Sequence, residues 1–310
     1  MDDVTHSPVP TPAPAPQPSD PKPSDIARPG LVRRIIAFPL TLLVIGFVWI
    51  IAITTATGQA YELLGFQRNT PAKAFGAVLI AVVVIFGYKA YKRWVERAPD
   101  TELSFTRALP ELGAGIAIGA LLFSFMTGIV ALLGGFEIIG VRGAGQIWTM
   151  TAIAIVSGTF EEVLFRGIML RHLESLTGTW IALAITSALF GAGHIFNPDA
   201  TWFAAFAIAI EAGILLGGAY LLTRRLWLAI GIHAAWNFTQ GWVFSVPVSG
   251  GDAPLGLLIT RTTGPDWLTG GEFGLEASAV AMVVATLAGV ALLWKARANG
   301  CIMPPRWRRG

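Results

Sequence analysis

From Leu31 onward the chain is a succession of apolar runs separated by short polar connections. Eight runs, at about 35–57, 72–92, 112–134, 146–170, 179–197, 202–222, 226–246 and 277–295, approach the roughly 20 residues an α-helix needs to cross about 30 Å of hydrocarbon. The pattern predicts an all-α, polytopic membrane protein with about eight transmembrane helices. One connection is long, 247–276, and it is rich in Gly, Pro, Thr and Asp. No internal repeat and no matched pair of Gly/Pro-broken helices, the mark of many transporters, is visible.

Composition sharpens the membrane reading. Of 310 residues 54% are apolar and only 13% charged, against about 25% charged in a soluble domain. The net charge of +3 invites a nucleic-acid partner, but that needs a concentrated basic face on a water-soluble body, and the sequence offers neither. A single cysteine, Cys301, excludes an internal disulfide framework and any cysteine-rich zinc or iron–sulfur site; lipidated and inert states are equally open to it.

Residues 1–30 hold nine of the 19 prolines with almost no large apolar side chain, and are expected to be a disordered, polyproline-like tail. The acidic opening Met1-Asp2-Asp3 argues against a secretory signal peptide. With the N-terminus inside, 18 of the 22 bases fall on inner segments, and only Arg68, Lys73, Arg142 and Arg261 fall outside. Lys and Arg gather on the cytoplasmic side of short loops, so the expectation is an integral, multi-pass protein of a bacterial-type cell membrane with both termini cytoplasmic. The chain then divides into a Pro-rich cytoplasmic tail (1–30), three N-terminal transmembrane helices (31–135), a four-helix core (146–246), an extracytoplasmic loop (247–276), and a last helix with a basic tail (277–310).

Ionisable groups inside spans are costly and therefore suspect. Here they concentrate in 146–245, as Glu161, Glu162, Arg166, His194, Glu211 and His233. Glu162 and Arg166 stand one helical turn apart in the favourable order for an ion pair. That leaves Glu161 about 100 degrees round the helix, and a carboxylate without its own cation suits a general base. The bland alternative is that both acids pair with Arg166 to lock packing. A lone intramembrane histidine is also most often a packing residue, but His194 and His233 lie on separate runs, and Asn237 follows His233 by one turn on the same face. Glu211 either lines a cavity or bonds a neighbouring helix; His172 is most simply interfacial, and His6 falls in the tail.

Glu161-Glu162-xxx-Arg166, Phe190-xxx-His194 and His233-xxx-Asn237, in this order on successive apolar runs, resemble the three motifs of the CAAX-protease and bacteriocin-processing family (CPBP, or Abi/Rce1-like) of intramembrane proteases. The resemblance covers about 146–245 and extends to Arg166-Gly167 and to His194-Ile-Phe-Asn197-Pro198. It implies peptide-bond hydrolysis within the membrane, near the cytoplasmic leaflet. Glu161 with His194 would activate water, His233 and Asn237 would form the oxyanion site, and Glu162 with Arg166 would orient the first glutamate's helix. Eukaryotic members trim prenylated proteins and many relatives are linked to bacteriocin immunity or protein maturation, so the implied partners are the bilayer and a protein or peptide substrate, lipid-modified or not. No cofactor is required on this reading; its alternative is one divalent ion, zinc first, held by Glu161, His194 and His233. Outside the resemblance, the intramembrane acids suit a proton-coupled transporter, and two histidines suit a haem carrier. The chain carries no prenylation box of its own, ending Trp307-Arg-Arg-Gly310. One count is discordant: at 1.5 Å per residue from the expected inner helix ends, Glu161 is about 15 Å deep, His233 about 12 Å and His194 about 22 Å.

Overall fold

The structure is a computed structural model that describes residues 30–308. The tail expected at 1–30 therefore lies, apart from Gly30, outside the described residues. The chain forms two units, Met1–Ile36 and Ala37–Gly310. The described part of the first contains helix α1, Leu31–Ile36.

The second unit is mostly helical, in the order α2 (Pro39–Leu63), α3 (Pro71–Tyr91), α4 (Ala108–Leu132), strand β1 (Phe136–Val141), α5 (Ile147–Glu162), α6 (Arg171–Thr177), α7 (Thr179–His194), α8 (Trp202–Thr223), α9 (Trp227–Phe238), strand β2 (Leu258–Thr262), a short α10 (Asp266–Thr269) and α11 (Ala279–Ala298). Helix starts follow local chemistry. Pro39 and Pro71 occupy first-turn positions, where the missing N–H costs nothing. Thr70, Thr201 and Ser278 cap α3, α8 and α11 by accepting from the N–H groups of Lys73, Ala204 and Ala281.

Two features depart from the uniform spans of the sequence reading. First, three helices run on into π-helical turns, Lys92–Glu96 after α3, Val163–Leu170 after α5 and Thr239–Val243 after α9. Among the described residues, five helices are long and apolar enough to cross a membrane: Pro39–Leu63, Pro71–Glu96, Ala108–Leu132, Trp202–Thr223 and Ala279–Ala298. The runs at 146–170, 179–197 and 226–246 are built from shorter α pieces. Second, the fold is not purely α. β1 and β2 pair antiparallel from Phe136↔Thr262 to Val141↔Leu258, with a bulge between Ile138 and Gly140. The two strands come from the connections at 133–146 and 247–276, where the sequence pattern predicts only loop.

Burial grades inward to α9, of which ten residues are buried, whereas α2 buries only Gly46 and Ile50. Large apolar side chains such as Val48, Phe75, Leu121, Phe125 and Leu287 face outward at 59–69% exposure. That density suits lipid and not water. α4 meets α9 along glycines: a Cβ on Gly119 would lie 2.3 Å from the Ile232 carbonyl oxygen. Gly119→Val should therefore lower stability by about 1–3 kcal/mol, read as a fall in the thermal midpoint of the purified protein; an unchanged midpoint would mean α4 does not seat on α9 in this way.

The connections gather at two ends. At one, Lys92 Nζ lies 3.2 Å from Glu96 and 3.3 Å from Glu102. There too Arg171 pairs with Glu96, Arg224 with Glu174 and Arg225 with Glu111, and Thr179 N donates to Met303 O. His172, expected at an interface, is buried within this network, 3.0 Å from Tyr91 Oη and 3.1 Å from Glu96. At the other end Asn69 donates to Gly145 O, Arg142 to Gly256 O and Asn197 to Ser249 O, beside the β1–β2 pair. The basic connections thus share one end, and the loop-rich end carries Arg68, Arg142 and Arg261.

Two of the three discordant depths, those of Glu161 and His194, come level here. The fourth run does not stop at 170: its π turn continues into α6, and the chain reverses only at Gly178, whose φ of +78° and 2.7 Å approach of a notional Cβ to Pro305 N leave room for no side chain. Counting from that turn at 1.5 Å per residue, Glu161 is about 24 Å along one helix and His194 about 22 Å along the next.

Candidate active site

Glu161 and Glu162 close α5 at the point where the helix widens into its π turn, a deviation frequent at functional sites. Glu162 is wholly buried. Its Oε1 accepts from Arg166 Nη1 at 2.9 Å and faces His233 Nδ1 at 2.9 Å. Arg166 also donates from Nη2 to the Ala212 carbonyl at 2.8 Å, and its guanidinium carbon lies 4.8 Å from the centre of the Phe190 ring. One buried ion pair therefore ties α5 to α7, α8 and α9.

His233 stands between the two acids. A carboxylate paired with Arg166 only accepts, so the proton of the Glu162 contact sits on His233 Nδ1. The other nitrogen, Nε2, is 3.9 Å from Glu161 Oε2, too long for a hydrogen bond. Glu161 Oε2 has no hydrogen-bond partner in the protein, although the side chain is 22% exposed. The two glutamates are thus differently equipped, one held by Arg166 and one uncommitted.

His194 closes α7. Its Nδ1 meets the Phe190 carbonyl oxygen at 2.8 Å, which puts the proton there and leaves Nε2 with a free lone pair. The Phe190 ring packs against both histidines, its centre 4.8 Å from that of His194 and 6.2 Å from that of His233. No hydrogen bond joins His194 to Glu161, so their expected partnership is not a direct one. Asn237 donates from Nδ2 to Ser157 Oγ at 3.0 Å.

His194, His233 and Asn237 border a cavity of about 40 Å³ completed by Glu211, Ser249 and Glu276 and otherwise apolar. Glu211 lines this cavity and bonds no neighbouring helix through Oε2, which has no partner. Ser249 and Glu276 come from the loop-rich end, with Ser249 N donating to Glu276 Oε1. Burial pushes the Glu276 carboxyl up to about 7 against that hydrogen bond. The cavity therefore joins residues within the helices to the loop-rich end.

Ser157, Ser249 and Glu276 did not stand out in the sequence. Ser157 and Ser249 carry no local signal. Glu276 does carry one, an acid immediately before an apolar run, but acids favour helix starts in any case.

The donor chemistry of Glu161, His194 and His233 suits zinc. Among the described residues, however, no group of three or more His, Cys, Asp or Glu gathers where an ion could be held. The set does not close as a metal site, and no step below runs through one. A cavity of about 40 Å³ admits a few waters and no haem.

Residues 143–239 match the family described as Rce1-like, Type II CAAX prenyl endopeptidase Rce1-like. This is the family the three motifs resemble, and the matched segment, under a third of the chain, contains Glu161, Glu162, Arg166, His194, His233 and Asn237. No curated protein and no solved structure matches the chain significantly. None of the comparisons points to a carrier.

Proposed function

We propose that the chain is an intramembrane endopeptidase in which Glu161 is the general base. The observation that carries this is His233, held through Nδ1 by the Arg166–Glu162 pair with Nε2 turned to the uncommitted Glu161. A water between Glu161 and His194 Nε2 attacks the peptide carbonyl carbon. Its proton passes to Glu161 as the C–O bond forms. His233, protonated on both nitrogens between two carboxylates, donates Nε2–H to the oxyanion, and Asn237 donates the amide hydrogen that Ser157 does not hold. Collapse breaks the C–N bond, and Glu161 returns the proton to the leaving amine. The one-ion alternative expected from the sequence at Glu161, His194 and His233 is tested by chelation.

The eight helical runs are read as eight crossings with both termini cytoplasmic, on the strength of the basic end. The site then lies within the helices, and the substrate is a protein or peptide segment, prenylated or not.

The test is the purified full chain in detergent with reporter peptides, prenylated and not, with and without a strong chelator. Cleavage of one peptide or both is expected; cleavage of neither sinks the proposal, and loss on chelation that zinc restores moves water activation to a metal. Asn237→Ala should cost about a hundredfold in kcat, the scale of one lost oxyanion donor, and Ser157→Ala only a few-fold. Equal kinetics for Asn237→Ala and wild type would remove Asn237 from the oxyanion site.

A further inference from the structure

Hydrolysis within a bilayer needs water where lipid supplies none. The cavity beside His194, His233 and Asn237 is bordered by two further acids that the reaction above does not use. Glu211 and Glu276 are 3% and 4% exposed and come from different parts of the chain, the middle of α8 and the loop before α11. Glu211 Oε2 has no hydrogen-bond partner in the protein. A buried carboxyl oxygen so placed is costly unless water satisfies it. The space of about 40 Å³ has room for two or three waters, each needing about 10–15 Å³ and two to four polar partners. Such partners surround it on several elements.

Hydrogen bonds cross the loop-rich side. Asn197 Nδ2 donates to Ser249 O at 3.0 Å, Gly250 N donates to Phe273 O at 2.9 Å, and Ser249 N is held by Glu276. Phe190, Leu216, Ile232 and Trp236 supply the apolar walls.

We propose that this cavity is a retained-water site, anchored by Glu211 and Glu276, that feeds the hydrolytic water to Glu161 and His194. The proposal rests on the peptidase reading for the use of the water, though not for its presence.

X-ray hydroxyl-radical footprinting of the full chain in nanodiscs reads the water directly, because radicals form from bound water and mark adjacent side chains. Phe190 and Trp236, though only 2% and 7% exposed, should be modified at least fivefold faster than Phe123, which is 0% exposed and not at the cavity. Glu211→Leu and, from the opposite wall, Ala285→Leu should bring both rates down to that of Phe123. Both should also lower kcat at least tenfold with KM unchanged, whereas Glu211→Gln, which can still hydrogen-bond water, loses less than threefold. Two variants on different helices guard against one that fails to fold.

Unmarked Phe190 and Trp236 in a protein that cleaves peptide would overturn the water site alone. So would an undiminished kcat in both filled variants. Marked residues in a protein that cleaves nothing would instead overturn the peptidase reading, and with it the use of the water.

Discussion

Glu161→Gln lowers kcat about a thousandfold while leaving KM and the thermal midpoint close to wild type. General-base removal costs about a hundredfold to ten-thousandfold, and the isosteric amide keeps every packing contact. Stability is spared because Glu161 has no hydrogen bond to lose: Oε2 has no partner, and His233 Nε2 stands 3.9 Å away. Glu162 is the opposite case, wholly buried, with Oε1 shared by Arg166 and His233. Glu162→Gln should thus lose both rate and stability. His194→Ala should follow Glu161→Gln in rate, since it removes the ring nitrogen that shares the attacking water with Glu161. The measurement is single-peptide kinetics in detergent beside a melting curve for each variant. A Glu161→Gln enzyme within tenfold of wild type would take the base away from Glu161.

What was legible in the sequence follows from the range of each signal. Apolar runs located the five helices long enough to span, because hydrocarbon thickness fixes their length. Their ends were less visible: the run ending at 170 continues to Thr177, since Arg171-His172-Leu173-Glu174 reads as polar loop until its charges are seen paired with Glu96 and Arg224. β1 and β2 escaped because five or six residues are too few to register beside spans of twenty. Within the site, helical spacing finds neighbours on one helix, and Glu162–Arg166 was found that way. It is blind across helices, so the contacts of His233 with Glu162, Asn237 with Ser157 and Arg166 with the Ala212 carbonyl had no precursor in the sequence.

Those cross-helix contacts make Arg166 the residue whose loss should cost the fold most. Arg166→Leu strands the Glu162 carboxylate in a site with no exposure, and breaking a buried pair from one side costs about 3–5 kcal/mol. It also frees the Ala212 carbonyl on α8 and the face of Phe190. Arg166→Lys should recover little, because an ammonium cannot serve Glu162 and Ala212 in the planar fork that a guanidinium provides. The informative variant is the double replacement Arg166→Leu with Glu162→Leu. Removing both charges leaves no uncompensated ion, so the double variant should unfold at a higher temperature than Arg166→Leu alone. It should nonetheless remain inactive, since His233 Nδ1 has then lost the carboxylate that fixes its proton and aims Nε2 at Glu161. Stability that returns without activity separates the pair's two roles, as anchor of four helices and as orienting partner of His233. Activity that returned with stability would reduce the pair to a packing lock.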